Sequence, residues 1–230
     1  MPYNITSVAG WVTPQLASTG DTVSTSLWNN LVGDVAMLYG KPWITVALSV
    51  NTTYTPFIVS TDSQVIGTPI FKASNGGSYL VSQNSPSSGL GAFAVNSTTG
   101  QINFPLSSGT PIPGLYRITA QVMTQQFGTN FGRAILVVQG SSALSYHPGA
   151  WAQSSSSSGV YPTFTVSAII PVGLGTWAGA TNFYITGQNN GGTAPNALAT
   201  DSGGHGPASS PPSFNTYVRA EFVGTSTGNF

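Results

Sequence analysis

Side chains able to perform acid–base or metal chemistry are few in this 230-residue chain. Only His147 and His205 are of a residue type that could serve as a base at neutral pH, and both lie in Gly-, Pro- or Ser-containing contexts typical of loops. Asp201 is near His205 in sequence, but no acid or hydroxyl nucleophile can be identified as its partner. The acidic residues are scattered, without the spacing of a glycosidase pair or a metal site: Asp21, Asp34, Asp62, Asp201 and Glu221. The sequence therefore predicts no catalytic residues and a protein that is not an enzyme.

Metal and cofactor sites are not predicted either. The chain has no cysteine, which rules out disulfides and thiolate chemistry and leaves the redox compartment open. A zinc-binding cluster of Cys, His or acidic ligands is absent from the sequence. The Gly-rich stretch 173–175 lacks both a phosphate-loop lysine and a following helix. We expect no metal and no cofactor.

Charge is sparse: five Lys and Arg residues and five Asp and Glu residues make up 4% of the chain. Nucleic acid and anionic membrane surfaces require a basic partner, so neither is expected. The sequence has no run of about 18 apolar residues, and its first residues lack the basic and apolar regions of a Sec-type signal peptide. Arg117, Arg133 and Arg219 are expected to decorate strands. Solubility must rest on uncharged polar residues, which suits a protein held in a large assembly.

The segment 114–140 carries a strong strand signal. Leu115–Thr124 alternates, and its apolar positions are predicted to face the core: Tyr116, Ile118, Ala120 and Val122. The opposite face carries Arg117, Thr119, Gln121 and Met123. Arg133–Val138 barely alternates, which predicts a strand covered on both faces. Because a polar, Gly-containing connector separates the two runs, we predict a hairpin of adjacent antiparallel strands at the centre of an all-β domain.

Residues 1–42 are predicted to form an N-terminal region ahead of a β domain at 43–230. Residues 1–20 have the composition of an extended arm that docks either on a neighbour or on its own domain. Apolar residues at three- and four-residue spacing predict a helix over Ser24–Tyr39. The anchoring residues expected on arm and helix are Trp11, Val23, Leu27, Trp28, Leu31, Val35 and Leu38. Three such helices would pack around a three-fold axis, or the helix would close one end of its own domain.

The remaining strands and loops follow from apolar runs and from Gly, Pro, Ser and Asn punctuation. Strands are predicted at Trp43–Val50, Tyr54–Ser60, Gln64–Ala73, Tyr79–Val81, Phe93–Val95, Phe164–Val172, Phe183–Thr186 and Tyr217–Val223. The polar tracts 153–159 and 187–214 are predicted to be exposed loops, either solvated without a partner or used for recognition. The candidate ligand contacts are Trp151 and Tyr161, whose rings would stack on sugars, and His205.

A family resemblance rests on two runs, Thr99-Gly100-Gln101-Ile102-Asn103-Phe104-Pro105 and Pro113-Gly114-Leu115-Tyr116-Arg117-Ile118. They resemble the T-G-x-F-x-x-P and P-G-x-Y-x-F signature of the complement and tumour-necrosis-factor jelly-roll superfamily. Isoleucines replace two aromatic residues of the pattern, and 107–112 lengthen the link. The signature residues assigned here are Gly100, Phe104, Gly114 and Tyr116. The resemblance covers 93–224 and implies a jelly-roll β-sandwich that forms a homotrimer.

A second resemblance concerns the N-terminal region. Trp11-Val12, the run Gly20-Asp21-Thr22-Val23-Ser24 and a helix ending near Gly40-Lys41-Pro42 are similar to the opening of many tailed-bacteriophage virion proteins. Those proteins place a short helix ahead of a variable β domain.

Together, the resemblances imply a virion structural protein made in the host cytoplasm. The expected function is that of a homotrimeric capsid decoration or minor capsid protein, which docks on the major capsid protein through residues 1–42. The alternative is a tail or head fibre protein, with tail proteins and a host-surface carbohydrate as partners. A free carbohydrate-binding module ranks third and a hydrolase last.

Overall fold

The computed structural model describes residues 40–61, 66–76, 78–84, 91–140, 144–154, 161–201, 204–207, 209 and 213–224. Within these residues the chain forms fourteen strands. The first seven are β1 (Trp43–Leu48), β2 (Phe57–Val59), β3 (Tyr79–Gln83), β4 (Ala94–Asn96), β5 (Gln101–Asn103), β6 (Leu106–Ser107) and β7 (Thr110–Pro111). The others are β8 (Gly114–Met123), β9 (Phe131–Gly140), β10 (Leu144–Pro148), β11 (Ala152–Gln153), β12 (Thr163–Val172), β13 (Ala180–Asn189) and β14 (Tyr217–Gly224).

Two sheets contain most of the strands. The first sheet has the order β12-β8-β14-β1-β3, and all its pairs are antiparallel. The second sheet has the order β10-β9-β13-β5-β4, with β11 added to β9 and β2 added to β13 in parallel. β6 and β7 form a separate two-stranded ribbon. The predicted all-β class is confirmed, and the sheets are predominantly antiparallel.

The two sheets share one hydrophobic core. On β8 the predicted inward residues Tyr116, Ile118, Ala120 and Val122 are all buried, while Arg117 on the other face is exposed. Their neighbours in the core come from both sheets, including Val218 on β14, and Leu136 and Phe183 on the second sheet. Met123, predicted to face away from the core, is buried; it pairs with Thr163, and its carbonyl accepts the Leu198 N–H.

The predicted hairpin is wrong, although both of its strands exist. β8 pairs with β12 and β14 in the first sheet, whereas β9 pairs with β10, β11 and β13 in the second. The connector at 124–130 crosses between the sheets and bonds to the 196–197 segment. β9 is covered on both faces, as predicted: Leu136 faces the shared core, and Val137 packs on the opposite side with Tyr146 and Tyr184. Ile66 also packs against this outer cluster.

One strand prediction differs from the structure, and the helix prediction lies outside the described residues. Residues 66–72 form no strand, because their N–H groups bond to scattered partners, such as Thr68 to the Pro56 carbonyl and Ile70 to the Ile185 carbonyl. The predicted helix Ser24–Tyr39 and all seven anchoring residues lie outside the described residues. Inside them the helical segments are two 3-10 turns, Ala73–Asn75 and Gly175–Trp177. The described helices include none long and apolar enough to cross a membrane.

The four signature residues lie in and around an aromatic cluster of the core. Tyr116 is fully buried and donates its hydroxyl hydrogen to the Ile112 carbonyl at 2.8 Å. Its ring centroid lies 5.0 Å from that of Phe104. Gly114 has no room for a side chain, because a Cβ there would lie 2.3 Å from the Phe222 ring. Gly100 ends a turn, in which its N–H bonds to the Asn96 carbonyl, with φ of 76°, a conformation that favours glycine.

The sheets have two distinct ends. At the junction end, the Phe222 N–H bonds to the Pro42 carbonyl at 2.9 Å, so residues 40–42 enter β1 beside the end of β14. At the loop end, β8 ends at Met123 and β9 begins at Phe131. Ten-residue strands such as β8 separate the two ends by about 30 Å.

Candidate functional site

The three candidate ligand residues all lie towards the loop end. Tyr161 precedes β12, whose first residue pairs with Met123 at the end of β8. Trp151 precedes β11, which pairs with Phe131 and Gly132 at the start of β9. His205 is tied by its carbonyl to Asn215, just before β14. Among the described residues no ring contact joins these three side chains.

Trp151 instead forms a site with an arginine from β9. The Arg133 guanidinium carbon lies 4.5 Å from the centroid of the Trp151 ring. Nε and Nη2 of Arg133 both donate to Oε1 of Gln188 on β13, at 3.0 Å and 2.6 Å. Arg133 is only 8% exposed and Gln188 is fully buried. The guanidinium is therefore held in one orientation beneath the indole.

The strand register explains this arrangement. Gln188 lies directly opposite Arg133 in the β13–β9 pair, and β11 places Gln153 opposite Phe131. Side chains alternate along a strand, so Phe131 and Arg133 share the outer face while Gly132 faces inward. A Cβ at Gly132 would lie 2.7 Å from the Phe127 ring, so glycine lets the core close beneath the site.

Phe131 extends the aromatic surface beyond the indole. Phe131 is 43% exposed and Trp151 is 38% exposed. Amide side chains flank them: Asn190 accepts the Phe131 N–H at 2.8 Å, and Gln153 donates to the Thr129 carbonyl at 3.3 Å. We name the surface formed by Phe131, Arg133, Trp151, Gln153 and Asn190 the aromatic surface.

Arg133 is electrostatically unusual. Burial lowers the pKa of its guanidinium, and no carboxylate among the described residues lies within 4.0 Å of it. Arg133 lies on strand β9, as predicted, but its side chain is buried instead of lying on the surface. The sequence signal for this buried cation was the single charged residue, Arg133, next to the apolar run Ala134–Val138.

The first sheet contains a second arginine–tryptophan pair that provides a comparison. The Arg219 guanidinium lies 5.6 Å from the Trp43 ring centroid. Arg219 pairs with Glu221 at 3.4 Å, as its position on the same strand face predicts, and Arg117 pairs with Glu221 at 3.1 Å. Both arginines are half exposed, so these ion pairs contribute little stability. Arg219 is half exposed beside a carboxylate, whereas Arg133 is buried with no carboxylate beside it among the described residues.

Each of the two histidines contacts a neighbouring side chain of its own chain. Nδ1 of His205 lies 3.1 Å from Oδ2 of Asp201. Asp201, which the sequence did not identify as the partner of His205, is therefore its partner. The Asp201 carboxylate also accepts the His205 backbone N–H, which closes the loop on itself. His147 stacks on Trp177 with ring centroids 5.2 Å apart, and burial lowers the pKa of its imidazole.

Neither a metal centre nor a known relative defines the site. In the described part of the chain, no group of three or more His, Asp or Glu side chains is placed to hold a metal ion. A scan against protein-family models gives no match, and a search of curated proteins gives no significant similarity. The aromatic surface must therefore be interpreted from its own geometry.

Proposed function

We propose that this protein is a non-enzymatic structural protein of a bacteriophage virion, a capsid decoration or minor capsid protein that docks through residues 1–42. The observation that carries this proposal is the separation of the two ends. Residues 40–42 join the sheets at the junction end, and the candidate ligand residues Trp151 and Tyr161 lie towards the loop end, about 30 Å away. A protein anchored by its N-terminal region would keep its loop end clear of the capsid.

The proposed domain type is a jelly-roll β-sandwich. Its support is the shared core of the two sheets and the clustering of the signature residues within it. Phe104 contacts Tyr116 of the first sheet and Phe183 of the second, with centroids 5.0 Å and 5.2 Å apart. Phe104 thus contacts both sheets, as expected of a signature residue in the core of a two-sheet sandwich.

We expect the purified chain to be a homotrimer. Its surface has few charges, and apolar side chains are exposed on edge strand β3 and on β12, including Leu80, Val81 and Ile169. Edge strands without charge or proline favour association. Light scattering coupled to size exclusion should give three times the 23.6 kDa chain mass. The variant Val81→Glu should weaken association, and a wild-type monomer at micromolar concentration would contradict the trimer.

Removing residues 1–40 should abolish incorporation into virions, since the proposed anchor is lost while β1 and both sheets are retained. The measurement is the amount of protein on purified particles from cells that express either the full chain or the truncated chain. Circular dichroism and thermal melting of the truncated protein control for folding. Wild-type levels of the truncated protein on particles would exclude N-terminal anchoring. The full chain should also be present on tail-less heads, and its absence there would exclude the decoration placement.

A second candidate function is a tail or head fibre protein that binds a host-surface glycan. It is favoured by one observation, the exposed aromatic surface at the loop end. Rings flanked by amides provide both stacking and hydrogen-bonding groups, as small-molecule sites commonly do.

A further inference from the structure

We propose that the aromatic surface binds a carboxylate-bearing sugar, with the carboxylate on Arg133 and the sugar ring on Trp151 and Phe131. The inference deepens the glycan-binding candidate and rests on it only for the biological source of the sugar. Binding itself is a property of the purified chain, so it is tested separately from virion incorporation.

The carboxylate follows from the state of Arg133. A guanidinium has five N–H donors, and Gln188 accepts from Nε and Nη2 on one edge. Nη1 donates to no described residue, and no described carboxylate compensates the charge. Buried ions are ordinarily paired, because removing a lone charge from water is costly. The Nη1–Nη2 edge has the geometry for a bidentate carboxylate.

The sugar ring follows from the two exposed aromatic residues. Trp151 precedes the β11 residue that pairs with Gly132, so Trp151 and Phe131 are diagonal neighbours on one sheet face. Such neighbours lie about 7–8 Å apart, within reach of aromatic side chains. A pyranose has an apolar C–H face that can lie on these rings. Its hydroxyls would meet the Gln153 and Asn190 amides at the edges.

The charge of the site selects among anions. The aromatic surface holds a single cation, and the side chains around it are neutral amides and aromatic rings. One carboxylate neutralises this charge, whereas a phosphate group carries about two negative charges at neutral pH. A nucleic acid would require several Lys or Arg contacts to its phosphates. A singly charged acidic sugar is the best match.

The test is calorimetric titration of the full chain with galacturonic acid, which carries one carboxylate, and with its methyl ester, which lacks that charge. A second pair of probes is 3′-sialyllactose and lactose. At least one acidic sugar should bind about 10- to 100-fold more tightly than its neutral match, as expected for a charge-assisted hydrogen bond. Equal affinity for acid and neutral forms, or no binding of either acidic sugar at millimolar concentration, would overturn the proposal. Inorganic phosphate competing as strongly as the acidic sugar would also overturn it.

Three variants locate the site. Trp151→Ala should reduce binding at least tenfold, and Arg133→Lys should reduce the preference for the acid because lysine lacks the planar fork. The matched control is Arg219→Gln, which alters the other arginine–tryptophan pair and should leave affinity within twofold. Loss of binding in Arg219→Gln but not in Trp151→Ala would place the binding site outside the aromatic surface and contradict the proposal. If Arg133→Lys fails to fold, the comparison of acid with ester on the wild-type chain still decides the proposal.

The two proposals fail in different ways. A chain that reaches virions but binds no acidic sugar would refute only the ligand. A chain that binds acidic sugar but is incorporated without residues 1–40 would refute only the anchoring.

Discussion

Replacing Phe104 with alanine is expected to lower the free energy of unfolding by about 3–5 kcal/mol. Phe104 is fully buried, and its ring bridges the sheets through Tyr116 on β8 and Phe183 on β13. Phe93 also contacts it, with centroids 6.5 Å apart. Removing the ring leaves a cavity that cannot close without moving one sheet towards the other. Urea denaturation of both proteins, compared by midpoint and slope, measures the change.

The control for Phe104→Ala is Leu106→Ala, two residues further along the chain. Leu106 is 44% exposed on the short ribbon formed by β6 and β7. Truncating an exposed side chain away from the core ordinarily changes stability by about 0.5 kcal/mol or less. Equal losses in the two variants would mean that Phe104 does not join the sheets as described.

Sequence periodicity predicts burial better than it predicts pairing. The alternation along β8 predicts which face meets the core, because that property depends on neighbours in sequence. Pairing depends on residues far away, and β8 pairs with β12 and β14 rather than with the next long strand. A connector long enough for a hairpin is also long enough to cross between sheets. The hairpin prediction therefore failed because strand pairing depends on residues that are distant in sequence.

The candidate site could be predicted only in part for the same reason. Trp151 is identifiable from its residue type and from its position beside a polar tract. Its partner is not, because Arg133 reaches it only through the pairing of β11 with β9. Gln188 lies 55 residues from Arg133 and contacts it only through the register of β13. Asp201 and His205, four residues apart, needed only a local turn to meet.

The two arginine–tryptophan pairs differ in how the charge of the arginine is compensated. Arg219 and Arg117 share Glu221 as a partner, and both guanidiniums are half exposed, so one carboxylate and water together stabilise these charges. Arg133 is buried with a neutral acceptor, which leaves its charge to be balanced from outside the described residues. A buried cation with no carboxylate partner among the described residues, beside exposed rings, is more simply explained by a ligand than by stability.

Alkaline pH is expected to destabilise the protein through Tyr116. Burial raises the pKa of its phenol above the ordinary value of about 10. The phenol therefore stays protonated in the folded state at pH values where the unfolded chain has lost the proton. Its contribution to stability is complete below pH 10 and is lost as pH rises from there towards the folded pKa. The free energy of unfolding should fall by about 1.4 kcal/mol per pH unit above pH 10 for this group.

Tyr116→Phe separates this titration from the packing of the ring. At pH 8 the variant should be less stable by about 1–3 kcal/mol, because the Ile112 carbonyl loses its buried donor. Above pH 10 the difference should shrink, since the variant has no phenol to deprotonate at this position. A residual alkaline slope should remain from Tyr184, whose pKa is raised by burial and by the neighbouring Tyr146. Urea midpoints measured from pH 8 to pH 11.5 decide the matter, and parallel curves for the two proteins would mean that Tyr116 does not carry the alkaline sensitivity.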